Sequence, residues 1–107
     1  MHALINMVII SFRTIREFGL LYPEAEKALF SWFENACDAD WSSFHDVKKT
    51  FNSVDAVGND RYVFNVKGNK YRLVTLILFP IRTIYILFLG THDAYDKIDA
   101  SKIKFKR

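Results

Sequence analysis

Cysteine, proline and glycine are all scarce in this chain of 107 residues, with one, two and four of each. Cys37 stands alone, so no intramolecular disulfide can form and a small secreted scaffold held by disulfides is excluded. A reducing cytoplasm is the expected compartment. Internal repeats, low-complexity stretches and Ser/Gly-rich linkers are missing too, which at this length predicts one domain over residues 1–107. No glycine pattern for cradling phosphate occurs, and His2, His45 and His92 are scattered beside a single cysteine. Neither a metal nor a cofactor is therefore expected, and His92 with Asp93 and Asp96 is too sparse a set to read as a metal centre. Long apolar runs are also lacking. Residues 3–12 are broken by Asn6 and Ser11, carry no basic leader, and fall far short of the ~20 residues a membrane-spanning helix needs. That run reads as a buried strand, and no membrane partner is expected. Met7 is a second candidate start, which would make residues 1–6 an extension.

What is present is half hydrophobic, 16% aromatic and a quarter charged, enough for a packed interior under a solvated surface. Fifteen Lys and Arg against 12 Asp and Glu leave a net charge of +3, which favours polyanionic partners.

Helical periods come first. Ile15, Phe18 and Leu21 recur at three-residue spacing with Arg13, Arg16 and Glu17 between them, a short amphipathic helix. Pro23 suits the first turn of a second helix, Glu24 and Glu26 suit its positive end, and Ala25, Ala28, Leu29, Trp32, Phe33 and Ala36 form one apolar stripe. Ser43 with Asp46 three residues on has the form of a capping box, followed by Phe44, Val47 and Phe51 at helical spacing; this third helix displays Lys48 and Lys49. From residue 61 the pattern changes to three β-branched and aromatic runs, residues 62–66, 71–79 and 83–89. Lys67-Gly68-Asn69 and Pro80-Ile81-Arg82 between them are too short for a crossover helix, so the strands run antiparallel as a meander. The fold class is α+β, an antiparallel sheet packed against two or three N-terminal helices, with little exposure on the two long strands.

Polar residues on such strands are informative. Arg72 shares a face with Val74, Leu76 and Leu78. It either snorkels or pairs with Asp60, Asp93 or Asp96, or it forms an anion site on a rigid strand. His92 follows the last strand directly and Tyr95 lies about one helical turn on. Antiparallel pairing of the last two strands brings His92 towards Arg72. Histidine can exchange a proton with a reacting oxygen and tyrosine can stack on a base, a set suited to RNA. A capping histidine and a core-packed tyrosine are the ordinary alternatives. Lys48, Lys49 and Lys70 can neutralise RNA phosphates or simply solvate the surface. Residues 99–107 form a basic tail, either a terminal strand, an arm along RNA or, as most tails are, frayed.

The stretch Gly58-Asn59-Asp60-Arg61-Tyr62, continuing through Lys67-Gly68-Asn69-Lys70-Tyr71-Arg72-Leu73 to Gly90-Thr91-His92-Asp93-Ala94-Tyr95-Asp96, resembles the HigB family of toxins. Arg16-Glu17-Phe18, Tyr22-Pro23-Glu24-Ala25, Ala39-Asp40-Trp41 and Val47-Lys48-Lys49-Thr50-Phe51 resemble it also, so the similarity covers about residues 7–98. One departure is Asn52, where relatives often carry a proline ahead of Ser53-Val54-Asp55, in what reads as a loop. The resemblance implies a RelE-like fold, a HigA-like antitoxin with a helix-turn-helix, and cleavage of mRNA on the ribosome without a metal. It specifies no oligomeric state. The roles expected are Arg72 on the phosphate, His92 in proton transfer, Tyr95 in stacking or a supporting hydrogen bond, and Lys48, Lys49 and Lys70 in RNA binding. The alternative is a noncatalytic domain that docks RNA, the ribosome or a protein through the same basic face, an inactive toxin relic.

Overall fold

The computed structural model of the chain describes residues 6–105. In chain order the elements are β1 (Val8–Ile10), α1 (Phe12–Leu21), α2 (Pro23–Asp38), α3 (Phe44–Thr50), β2 (Val54–Gly58), β3 (Arg61–Val66), β4 (Tyr71–Leu78), β5 (Thr83–Thr91) and α4 (His92–Tyr95). Pro23 opens α2 with Glu24 and Glu26 in its first turn, and Ala25, Leu29, Trp32 and Ala36 are its buried residues. Pro is suited there because it lacks a donor that the first turn would leave unpaired anyway.

The strands form one five-stranded sheet in the order β1-β5-β4-β3-β2. β2 through β5 pair antiparallel, as expected of the meander, whereas β1 pairs parallel with β5, so the sheet is mixed. Four expectations in the N-terminal half need correction. Of the buried strand expected over residues 3–12, residues 3–5 lie outside the described residues, and the strand proper is three residues at a sheet edge, with Val8 exposed. Phe12 already belongs to α1, where its ring packs on Phe33. Leu21, placed on the apolar side of α1 by spacing, is exposed at the helix end. Ser43 precedes α3 without a side-chain cap; instead the Ser42 N–H donates to Asp46 Oδ2 at 2.8 Å. The segment read as a loop after Asn52 is largely β2, with Val54 opposite Phe64.

α1, α2 and α3 cover one face of the sheet. Phe64 is the hub of that core, with Trp32 at 5.2 Å and Phe51 at 5.3 Å in edge-on contact and Trp41 stacked at 6.5 Å. Arg82, left-handed at φ 51° in the turn before β5, ties the segment ahead of α3 to the sheet. It donates to the Trp41 carbonyl and pairs with Asp40 at 3.2 Å.

The second face is covered by the chain's own C-terminal segment, not left to a frayed tail. Ala100 is buried, and Ile103 and Phe105 pack on Val63, Val74 and Leu87 together with Tyr85. Arg61 holds this strap through two hydrogen bonds to the Ile103 carbonyl, at 3.2 and 2.6 Å, and Asn59 donates to the Ser101 carbonyl at 2.9 Å. An irregularity opposite Val74 and Thr75 leaves Leu87 as the extra residue of β5, so Leu87 and Phe88 both join the second face. No helix among the described residues is long and apolar enough to cross a membrane.

Two outcomes follow from these packing arrangements. Phe64→Ala should lower the unfolding free energy by about 3–5 kcal/mol in urea titrations, as buried Phe truncations do; a loss below about 1 kcal/mol would remove Phe64 from its central position. Arg61→Ala should cost about 1–2 kcal/mol and deprotect amides of residues 99–105 to hydrogen exchange, with α2 unaffected.

Candidate active site

Backbone pairing decides which side chains meet. In the β4/β5 register Tyr71 lies opposite Thr91 and Arg72 opposite Gly90. The His92 N–H continues the ladder to the Lys70 carbonyl at 3.1 Å. Thr91 then caps α4, its Oγ1 accepting from the Ala94 N–H at 3.2 Å, so the chain turns into a helix at His92.

The result is a cleft of ≈ 490 Å³ at the end of the sheet. The β3/β4 turn contributes Lys67, Asn69 and Lys70 to it, β4 contributes Tyr71, and the end of β5 brings Thr91, His92 and Asp93. Lys67 and Gly68 have φ of 55° and 65°, the left-handed conformation that lets so short a turn reverse the chain.

His92 and Lys70, expected at the site, both line the cleft. The His92 imidazole is about half exposed and its Nδ1 stands 3.1 Å from Asp96 Oδ2. A carboxylate at one ring nitrogen sets the imidazole's orientation and leaves Nε2 to face a ligand. Arg72 and Tyr95 meet one another, the guanidinium 5.7 Å from the ring centroid, on the face of the sheet that carries Val74. Arg72 donates to the Asn69 carbonyl at 3.1 Å, and among the described residues no acid pairs with it. It lies one residue beyond Tyr71 and does not line the cleft itself. His92, Arg72 and Tyr95 thus gather around one end of the β4/β5 pair.

Lys48 and Lys49 are not brought to this cleft. Both are exposed on α3, where Lys48 sits 4.9 Å over the Phe44 ring. Phe44 packs on Tyr62, at the far end of β3 from the Lys67 turn. Their place follows from Phe44 and Val47 fixing the inward side of a seven-residue helix, which turns the lysines outward wherever that helix lies.

Spacing did not reveal two further groups. Lys67 reads in sequence as a turn residue, yet it faces the cleft. Tyr71 is buried, and its hydroxyl donates to Glu24 at the start of α2. That hydrogen bond pushes the Tyr71 hydroxyl up to about 12, with burial adding to it. The same bond holds the Glu24 carboxyl below its ordinary range, helped by its own backbone N–H and by Lys70 and Lys67. A residue 47 positions away is invisible to local periodicity; Pro23-Glu24 ahead of an apolar stripe is the only signal.

His92, Asp93 and Asp96 each offer a ligand atom, all within 4.8 Å of one another. All three are exposed, so the set read as sparse in sequence is drawn together by α4.

A five-stranded sheet faced by N-terminal helices has the form of a RelE-like fold. The HigB toxin family, described as the RelE-like toxic component of a toxin-antitoxin system, matches residues 25–98, and the chain belongs to that family. It is 29% identical over 94 residues to the "mRNA interferase HigB" of Escherichia coli O6:H1, spanning 86% of this chain and 91% of that protein. It is 27% identical over 92 residues to the "mRNA interferase toxin HigB" of Escherichia coli K12 and equally to the "mRNA interferase HigB" of Shigella flexneri, spanning 84% of this chain and 88% of each.

The Glu24 to Tyr71 bond makes a pH test. A carboxyl with a depressed pKa adds stability above its unfolded pKa and loses it as pH falls through the folded one. Tyr71→Phe should therefore be less stable than the parent at pH 7, with the gap closing towards pH 3; urea midpoints at both values would show it. A gap independent of pH would mean that the hydroxyl does not act through Glu24.

Proposed function

We propose that this chain is the toxin of a type II toxin–antitoxin system, a single-domain cytoplasmic endoribonuclease that cleaves mRNA on the translating ribosome without a metal. A HigA-like helix-turn-helix antitoxin is the proposed partner. The observation that carries the reading is the convergence of His92, Arg72 and Tyr95 at one end of the β4/β5 pair beside a lysine-lined cleft. Family membership and the names of the relatives support the same reading.

In the reaction the RNA 2′-oxygen attacks the adjacent phosphorus. Its proton leaves as the new O–P bond forms, and the bond to the 5′-oxygen breaks as that oxygen gains a proton, leaving a 2′,3′-cyclic phosphate and a 5′-hydroxyl. His92, held by Asp96, exchanges a proton with one of the two oxygens. Arg72 meets the charge that builds on the phosphoryl oxygens; as a fixed planar fork it suits two of them at once. Tyr95, packed under Arg72, keeps the guanidinium in place and presents its ring to a base. Lys67 and Lys70 attract the backbone along the cleft. Lys48 and Lys49, on α3, act only as a more distant electrostatic contribution to docking.

His92→Ala and Arg72→Ala should each reduce cleavage of ribosome-bound messages by about 100-fold or more and relieve growth arrest, with thermal unfolding unchanged. Cleavage should survive a chelator. Full toxicity in both variants would reject the assignment, and loss of activity on chelation would recast His92, Asp93 and Asp96 as ligands. Induction without new 5′ ends in translated messages would favour a noncatalytic docking domain.

A further inference from the structure

We propose that a second cavity, between α2 and β3, is a nucleobase subsite that receives an unstacked base of the RNA strand whose backbone runs along Lys67. This rests on the nuclease reading for its substrate class, and it adds a recognition element that the cleavage chemistry does not require.

The cavity measures ≈ 310 Å³, at the lower end of the ~300–1,000 Å³ range of small-ligand sites. Ser31, Trp32 and Asn35 line it from α2, Phe51 from the end of α3, and Asn65 and Lys67 from β3 and its turn. Lys67 lines both this cavity and the cleft of His92, so the two are joined at one cationic side chain. A strand with a phosphate beside Lys67 therefore has a base within reach of either side.

The wall chemistry selects a base. Trp32 and Phe51 lie nearly parallel, 23° apart with centroids at 6.1 Å, and provide aromatic surface. Trp32 is almost wholly buried, yet its indole N–H has no acceptor among the described residues, a rare condition for such a group. Asn65 donates its amide hydrogen to Ser53 Oγ, which leaves its carbonyl oxygen free to accept. Asn35 is exposed on α2 and offers a donor and an acceptor side by side, the pairing that reads a base edge. Among the described residues no carboxylate lines the cavity and Lys67 is its one charged group, so an anionic ligand with a flat, edge-polar head fits better than a basic peptide.

The test uses the purified full chain, whose only tryptophans are Trp32 and Trp41. Tryptophan fluorescence is titrated with the four nucleoside 5′-monophosphates and with ribose 5-phosphate, on the parent and on Asn35→Leu; Trp32→Phe identifies which indole responds. At least one nucleotide should bind about tenfold more tightly than ribose 5-phosphate, the worth of a stacked base, with the signal lost in Trp32→Phe. Asn35→Leu, on an exposed helical position that tolerates leucine, should weaken that nucleotide about tenfold and leave ribose 5-phosphate unchanged. In cells it should also shift the base composition at a fixed position beside the mapped 5′ ends. Equal binding of nucleotides and ribose 5-phosphate, or an unshifted composition in Asn35→Leu, would overturn the subsite. Base-dependent quenching of Trp32 without any new 5′ ends would uphold the subsite and sink the nuclease reading.

Discussion

The antiparallel ladder between β4 and β5 is the constraint on which the rest depends. It sets Tyr71 opposite Thr91 and Arg72 opposite Gly90, and it hands the next donor, the His92 N–H, to Lys70. Because side chains alternate across a strand, a slip of one residue would turn Arg72 to the helical face and Tyr71 away from Glu24. The core prevents that slip: Leu73 and Ile77 are buried against the helices while Val74 is buried on the other face. Gly90 adds a local demand. A Cβ there would stand 2.6 Å from the Phe88 ring, so only glycine lets the ring lie across the strand beside Arg72.

Electrostatics at the sheet end are arranged in two layers. Glu24 takes a hydrogen bond from buried Tyr71 and lies close enough to Lys67 and Lys70 to feel their charge, so α2 is tied to β4 beneath the cleft. Above it, Asp96 fixes His92 while Arg72 rests on Tyr95 with no acid paired to it among the described residues. A half-buried guanidinium that rests on an aromatic ring and donates to the Asn69 carbonyl keeps its other donors for solvent or a ligand.

Much of this was legible in the amino-acid order, and the failures have physical causes. Pro23 and the Ala25 to Ala36 stripe mark α2 because helix periodicity is a local property. Tyr62 to Val66, with the turns at Gly68 and Pro80, mark the meander and, through it, the approach of His92 to Arg72. β2 escaped because Asp55 and Ala56 are exposed on an edge strand, where only Val54 needs to be apolar. β1 is overextended in the sequence reading because the apolar pattern runs on from Val8–Ile10 into Phe12 of the following helix. The strap was missed for a different reason. Alternating Lys102-Ile103-Lys104-Phe105 resembles a mobile tail unless one knows that the second sheet face has only the four-residue α4 on it among the described residues. Tyr71 with Glu24, and Lys67 facing both cavities, are long-range facts that no window of sequence contains.

The strap closes what the helices leave open. With α1 and α2 over one face and residues up to Phe105 over the other, a nucleic acid has no broad sheet surface on which to lie. On the proposed function, the RNA enters at the end of the sheet where the β3/β4 turn meets α4, as a single bent strand instead of a stiff duplex. Fusing a bulky partner just past Phe105 would load a peg whose grip comes from Arg61, on the same sheet that carries Arg72.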